Sequence, residues 1–136
     1  LAIETLWPPR DAPRGASSNA RSLVLRVSVA GRTVLLPGDV EAASEAALIA
    51  ARAPLRADVL KLAHHGSRTS SSAAWLGAVD GAIAIASAPR FGRFGMPHPE
   101  VIERLRAARY ALWWTGRHGA VLVGLDPVVW VRGWRE

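Results

Sequence analysis

The segment Asp58-Val59-Leu60-Lys61-Leu62-Ala63 limits what this chain can fold into more than any other, because its apolar residues run on instead of alternating. An alternating strand leaves one face in water, whereas a continuous apolar strand needs cover on both faces. Helices layered over a sheet supply that cover. The run then stops abruptly at His64-His65-Gly66-Ser67, and Thr33-Val34-Leu35-Leu36 stops in the same way at Pro37-Gly38-Asp39. Each reads as strand, sharp turn and polar tip.

The flanking pattern fits a layered α/β chain. Ile3 to Trp7 predicts a short strand stopped by Pro8-Pro9, and residues 10–20 predict a surface loop. Leu23 to Val29 and Thr33 to Leu36 predict a hairpin about Ala30-Gly31-Arg32. A helix is expected over 40–52, ending before Pro54. Ser70-Ser71-Ser72 offers caps for a helix over 73–79, and residues 81–87 form a second buried strand. Residues 88–97 are a loop of Pro, Gly, Arg and aromatic residues, and Pro99 opens a helix to about Arg109. Residues 110–114 and 120–125 predict a strand pair around a turn at 115–119, with a last apolar stretch over 128–134. The pairs at 23–36 and 110–125 make the expected sheet mixed.

A chain of 136 residues, half of them apolar, suits one globular domain, here residues 1–136. No apolar stretch approaches the roughly 18–20 residues that span a bilayer. The N-terminus shows no signal-peptide pattern. The chain opens at Leu1, inside a strand pattern, and is expected to be a piece of a longer protein. It has no cysteine, which excludes disulfides and thiolate ligands. The net charge is +6, and Lys61 is the single lysine among 17 basic residues. A GC-rich coding sequence explains that ratio, but the positive balance still favours polyanionic partners.

Asp39 after Gly38 fits either a metal ligand or a cap for the helix that follows. His64 and His65 lie just past a strand end, where Gly66 can release the backbone. One imidazole can then bind metal while the other meets substrate. Ser67, Arg68, Thr69 and Ser70 add hydroxyls and a guanidinium, as a phosphate-contacting loop or as a plain helix entry. His98 precedes a helix N-terminus, which favours anions. His118 reads as structural, and Trp113, Trp114, Trp130 and Trp134 read as packing residues, with exposed stacking on nucleic acid as the alternative.

Asn19 with Ser22-Leu23-Val24-Leu25, then Leu35-Leu36-Pro37-Gly38-Asp39-Val40-Glu41, Glu45, and Ala57 through Ser70 follow one another in a characteristic order and spacing. The chain thereby resembles the C-terminal metallo-β-lactamase-like domain of the ComEC family of DNA-internalisation competence proteins. The resemblance implies the C-terminal half of an αββα sandwich. It implies Asp39 and His65 as ligands of a divalent metal, zinc or manganese, two ions in the complete domain and none in this stretch alone. It implies His64 and His98 as catalytic, phosphate-side groups, with Ser67, Arg68, Thr69 and Ser70 on the substrate. The implied activity is a nuclease that degrades one DNA strand while the other crosses the membrane. The alternatives are a hydrolase of a small phosphoester and a non-catalytic DNA-guiding domain. The implied partners are DNA, the upstream half of the same domain, and a membrane channel region. The implied setting is a soluble domain of an inner-membrane protein. Half a sandwich is also expected to self-associate.

Two features depart from the family pattern. Its first metal motif, HxHxDH, is absent and would lie upstream of Leu1. Its Gly-His-Pro element is matched by Gly95-Met96-Pro97, with His98 two positions beyond the expected histidine, and Gly92 stands in place of an asparagine.

Overall fold

The computed structural model describes residues 1–9 and 17–134. Six strands form one sheet in sequence order: β1 (Ala2–Trp7), β2 (Val24–Val29), β3 (Arg32–Leu36), β4 (Val59–Lys61), β5 (Ile83–Ala86) and β6 (Ala111–Trp114). β1, β2 and β3 run antiparallel, and β3 through β6 run parallel. The sheet is mixed, as expected for a layered α/β chain. The β2–β3 hairpin turns on Ala30 and Gly31, both at positive φ (50° and 76°), the backbone twist that tight hairpins need.

The helices are α1 (Ala42–Ala50), α2 (Ala73–Val79), α3 (Pro99–Ala107) and the single turn α4 (Thr115–His118). Leu48 of α1, Trp75, Leu76 and Val79 of α2, and Val101 and Leu105 of α3 are buried in one cluster. Val24, Leu35, Leu60, Ala84 and Ala86 join them from one face of the sheet. On the other face the strand register sets Ile3, Val27, Val34, Val59, Ile83 and Ala111 in one row across all six strands. Alternation of side chains along each strand produces this division.

Three expectations need correction. Residues 110–114 and 120–125 are not paired with each other. β6 adds to β5 in parallel, while β7 (Ala120–Gly124) pairs with β8 (Trp130–Trp134) as a separate two-stranded sheet. Residues 115–118 coil into α4 instead of making a hairpin turn, and Nδ1 of His118 accepts from the Trp114 N–H at 2.9 Å. The mixed character therefore comes from β1–β3, not from the C-terminal strands. Lastly, Trp130 and Trp134 are exposed, whereas Trp75 and Trp114 do the packing. Most of the loop expected over 10–20 lies outside the described residues; residues 19–21 form a short 3-10 turn.

Candidate functional site

β3 and β4 lie side by side in parallel, with Val34 opposite Val59 and Leu35 opposite Leu60, so both strands finish at the same edge of the sheet. In parallel α/β sheets, ligands gather at these carboxyl ends. After β3 the chain turns at Gly38, whose φ is +59°. A Cβ there would lie 2.9 Å from the Leu23 carbonyl oxygen, so only glycine fits the turn that presents Asp39.

After β4 the backbone enters the left-handed region at three consecutive residues: His64 (φ 46°), His65 (φ 56°) and Gly66 (φ 87°). Left-handed backbone at a non-glycine residue costs on the order of 1–3 kcal/mol and persists only where its surroundings impose it. Here the His64 N–H donates to the Gly38 carbonyl at 3.0 Å, which ties the two turns together. The Ser67 N–H donates to the His64 carbonyl at 2.9 Å, and the His98 N–H to the Gly66 carbonyl at 2.8 Å. The histidines themselves, as well as Gly66, thus break the strand rule that adjacent side chains face opposite ways.

The outcome is a carboxylate and an imidazole facing each other across open space. Asp39 Oδ1 lies 3.8 Å from His65 Nε2, with the side chains 41% and 48% exposed. His65 Nδ1 lies 2.8 Å from the Ser87 carbonyl oxygen, just past the end of β5. A carbonyl can only accept, so Nδ1 carries the proton of the neutral ring and Nε2 keeps its lone pair. That lone pair and the Asp39 carboxylate are both electron donors, too far apart to share a hydrogen bond. A backbone carbonyl on the far nitrogen is the usual way a protein orients a metal-binding histidine. Asp39 does not serve as the helix cap: Glu41 occupies the cap position of α1, and no side chain bonds there.

Lys61 adds a cation to this neighbourhood. Its pKa is lowered from 10.5 by burial, an effect opposed by the negative charge of Asp39. Its Nζ donates to the Leu62 carbonyl at 2.8 Å. His64 faces the other way. Its Nδ1 is 3.4 Å from Glu41 Oε1, without the alignment of a hydrogen bond, and has no other partner among the described residues. The same Glu41 oxygen accepts from the Thr69 hydroxyl at 2.8 Å.

The Ser67–Ser70 segment is largely engaged with itself and its surroundings. The hydroxyls of Ser67 and Thr69 are 3.0 Å apart, and the buried Ser70 hydroxyl donates to the Val40 carbonyl at 2.8 Å. Arg68 and Thr69 are exposed, and the Arg68 carbonyl accepts from Arg104. Below this segment, the fully buried Glu45 accepts from the Ser71 and Ser72 N–H groups at 2.5 and 3.0 Å. His98 adjoins the histidine turn through its backbone, but its imidazole caps α3: Nδ1 accepts from the Glu100 N–H at 3.4 Å. Met96 lines a cavity of about 210 Å³ together with His65, Ser87 and Phe94.

Sequence reasoning did not single out Glu41, Lys61 or Ser87 as site groups. Lys61 carried a signal, being the single lysine of the chain and set within an apolar strand. The Ser87 contribution is a main-chain carbonyl, which no side-chain pattern announces. Zinc sites take three or four protein ligands. Asp39 and His65 supply two, and among the described residues no group of three His, Asp or Glu is placed to hold an ion. Among the described residues, Asp39 and His65 do not by themselves complete such a ligand set.

No family model matches the chain. Curated relatives do. It is 32% identical over 121 residues to ComE operon protein 3 of Bacillus subtilis, covering 89% of this chain and 15% of that protein. It is 39% identical over 107 residues to Recombination protein 2 of Haemophilus influenzae, covering 79% and 13%. It is 36% identical over 113 residues to Competence protein ComA of Neisseria gonorrhoeae, covering 82% and 16%. The chain is homologous to a competence-protein family. It spans about a seventh of the length of these relatives. Among the described residues, no helix is long and apolar enough to cross a membrane.

Proposed function

We propose that this chain is the part of a DNA-uptake protein that supplies one side of a metal-dependent phosphodiesterase site. The observation that carries the reading is the Asp39–His65 pair. Residues 26 positions apart in sequence are brought to 3.8 Å at the ends of two parallel strands, with the lone pair of Nε2 turned to the carboxylate. The competence names of the relatives and the net charge of +6 support DNA as the polyanion. In this reading the two donors form half a site. The remaining ligands come from sequence outside these residues, in keeping with the small share of each relative that the chain covers. The metal is zinc or manganese.

The same reading gives a use to the apolar row from Ile3 to Ala111. Its exposed ends, Ile3 and Ala111, belong to the surface on which the other half of a metallo-β-lactamase-like sandwich packs, while Val59 at its middle is already buried; the exposed part favours self-association of the stretch. Arg68 and Thr69, exposed beside the pair, are the groups for a phosphate. His64 is the substrate-side imidazole, and His98 stays in reserve at the cap of α3. The domain itself lies outside the bilayer, on a protein anchored in the inner membrane.

The test is DNA cleavage by this stretch joined to the flanking sequence that its relatives possess, with manganese or zinc added. Asp39→Ala and His65→Ala each lower cleavage by about 100-fold or more, since loss even of groups that only support metal ligands costs 10- to 100-fold. An extended protein that binds DNA yet never cleaves it with either metal rejects the nuclease and leaves a DNA-guiding domain. Cleavage of small phosphodiesters without cleavage of DNA favours the small-substrate hydrolase.

A further inference from the structure

The chain has two phenylalanines, Phe91 and Phe94, and both stand in the loop between β5 and α3. They are 89% and 69% exposed, while the core is built from other apolar side chains. Nothing in the packing of the fold requires them there. Each ring carries its neighbouring guanidinium: Arg90 lies 5.2 Å from the centroid of Phe91, and Arg93 lies 4.9 Å from that of Phe94. Among the described residues neither arginine meets a carboxylate, whereas Arg26, Arg32, Arg56, Arg104 and Arg106 all do. The loop thus presents two aromatic faces and two uncompensated cations in five residues.

The loop also has a fixed base. The Ala88 N–H donates to the Thr115 hydroxyl at 3.1 Å, and the Trp114 indole donates to the Ala88 carbonyl at 2.8 Å. A Cβ at Gly116 would lie 2.4 Å from the Arg90 nitrogen, so this glycine lets α4 press against the loop. Further along, the Gly95 N–H closes a turn on the Gly92 carbonyl at 3.0 Å. Phe94 in turn lines the small cavity of about 210 Å³ that His65 also lines.

We propose that the Arg90–Phe94 loop is a stacking platform that delivers unpaired DNA bases to the Asp39–His65 pair, so that the substrate end is single-stranded. The inference rests on the DNA reading above and adds strand state to it. Exposed aromatic rings interleaved with arginine are the chemistry that holds single strands, the rings stacking on bases and the cations following the phosphates. A duplex hides its base faces within its own stack and offers the rings nothing. The cavity of about 210 Å³ is lined by both Phe94 and His65, and its wall includes the apolar Met96 and Pro89.

The experiment titrates the 136-residue chain with an oligonucleotide carrying 2-aminopurine, whose fluorescence is quenched when it stacks, as a single strand and as a blunt duplex of the same sequence. The wild-type chain is expected to bind the single strand more tightly and to quench it. The double variant Phe91→Ala/Phe94→Ala loses the quench and weakens single-strand binding by about 5-fold or more per ring, with duplex binding unchanged. Phe91→Leu/Phe94→Leu keeps the apolar bulk and loses the quench as well. Both positions are exposed, and circular dichroism confirms that the variants are folded. Single-strand binding and quench that survive both variants overturn the platform while leaving the DNA reading in place. Equal losses on single strand and duplex also overturn it. A wild-type chain that binds neither oligonucleotide overturns the DNA reading itself.

Discussion

Glu45 is where the account is most exposed to a stability measurement. Its carboxylate is fully buried on α1 and accepts from the Ser71 and Ser72 N–H groups at 2.5 and 3.0 Å. Those two groups belong to the segment that leads from the histidine turn into α2, and Ser71 sits there at a φ of 57°. Glu45→Ala leaves the buried Ser71 N–H and the part-buried Ser72 N–H without their acceptor. Hydrogen bonds to charged groups contribute about 1.5–3 kcal/mol each, so the loss is about 3–6 kcal/mol. Against a total stability of about 5–15 kcal/mol, that is a large fraction. For a chain of this length it lowers the unfolding midpoint by about 10–20 °C. Glu45→Gln keeps the shape and one acceptor oxygen, and falls between the two. Urea unfolding of the three proteins gives the ranking, and hydrogen exchange at Ser71 and Ser72 reports the local effect. An alanine variant within about 1 kcal/mol of wild type, with both amides still protected, refutes the assignment of Glu45 as the brace of this segment.

Further outcomes follow from the same geometry. Gly66→Ala puts a methyl group 2.6 Å from Pro97 Cβ at a φ of +87°, and costs about 2–4 kcal/mol in urea unfolding through strain and overpacking. Tyr110→Phe removes a hydroxyl that donates to the Leu76 carbonyl and accepts from the Gly81 N–H, both at 2.9 Å, and costs about 1–3 kcal/mol. Burial raises the Tyr110 pKa above 10.0, so its contribution to stability is present below pH 10 and falls away as the pH rises beyond it. Lys61→Met removes a cation whose pKa burial lowers below 10.5, so it raises the thermal midpoint at pH 7. With the pKa lowered in the folded chain, the unfolded chain holds more protons between the two values; wild-type stability climbs there, and the gap to Lys61→Met narrows as the pH nears 10.5.

Much of the architecture was legible because its signals are local and unambiguous. The unbroken apolar run at 58–63 required cover on both faces, and Val59 and Leu60, which point to opposite faces of β4, are both fully buried. Ala30-Gly31 announced the hairpin between β2 and β3 through the backbone that such turns need. The C-terminal strands were misjudged because proximity in sequence suggested a hairpin. Thr115–His118 instead takes a helical turn that sends β7 away from β6, a choice that depends on the tertiary contact between His118 and Trp114. At the site, glycines and polar tips pointed to Asp39 and the histidine pair, of which the fold brings His65 to 3.8 Å from Asp39 and turns His64 toward Glu41. The left-handed backbone of His64 and His65 was not legible, since it is imposed by bonds to Gly38 and His98 from distant segments. Nor was the turn of the His98 imidazole toward its own helix.

Nitrogen-15 NMR of the four imidazoles during a zinc titration addresses the central claim most directly. Before zinc, neutral His65 is expected as the Nδ1–H tautomer, held by the Ser87 carbonyl. As zinc is added, its Nε2 resonance should shift ahead of every other histidine nitrogen, and Asp39→Asn should remove that lead. A His65 ring in the opposite tautomer, or zinc shifts that ignore both His65 and the Asp39 substitution, contradicts a shared pocket for a cation at the ends of β3 and β4.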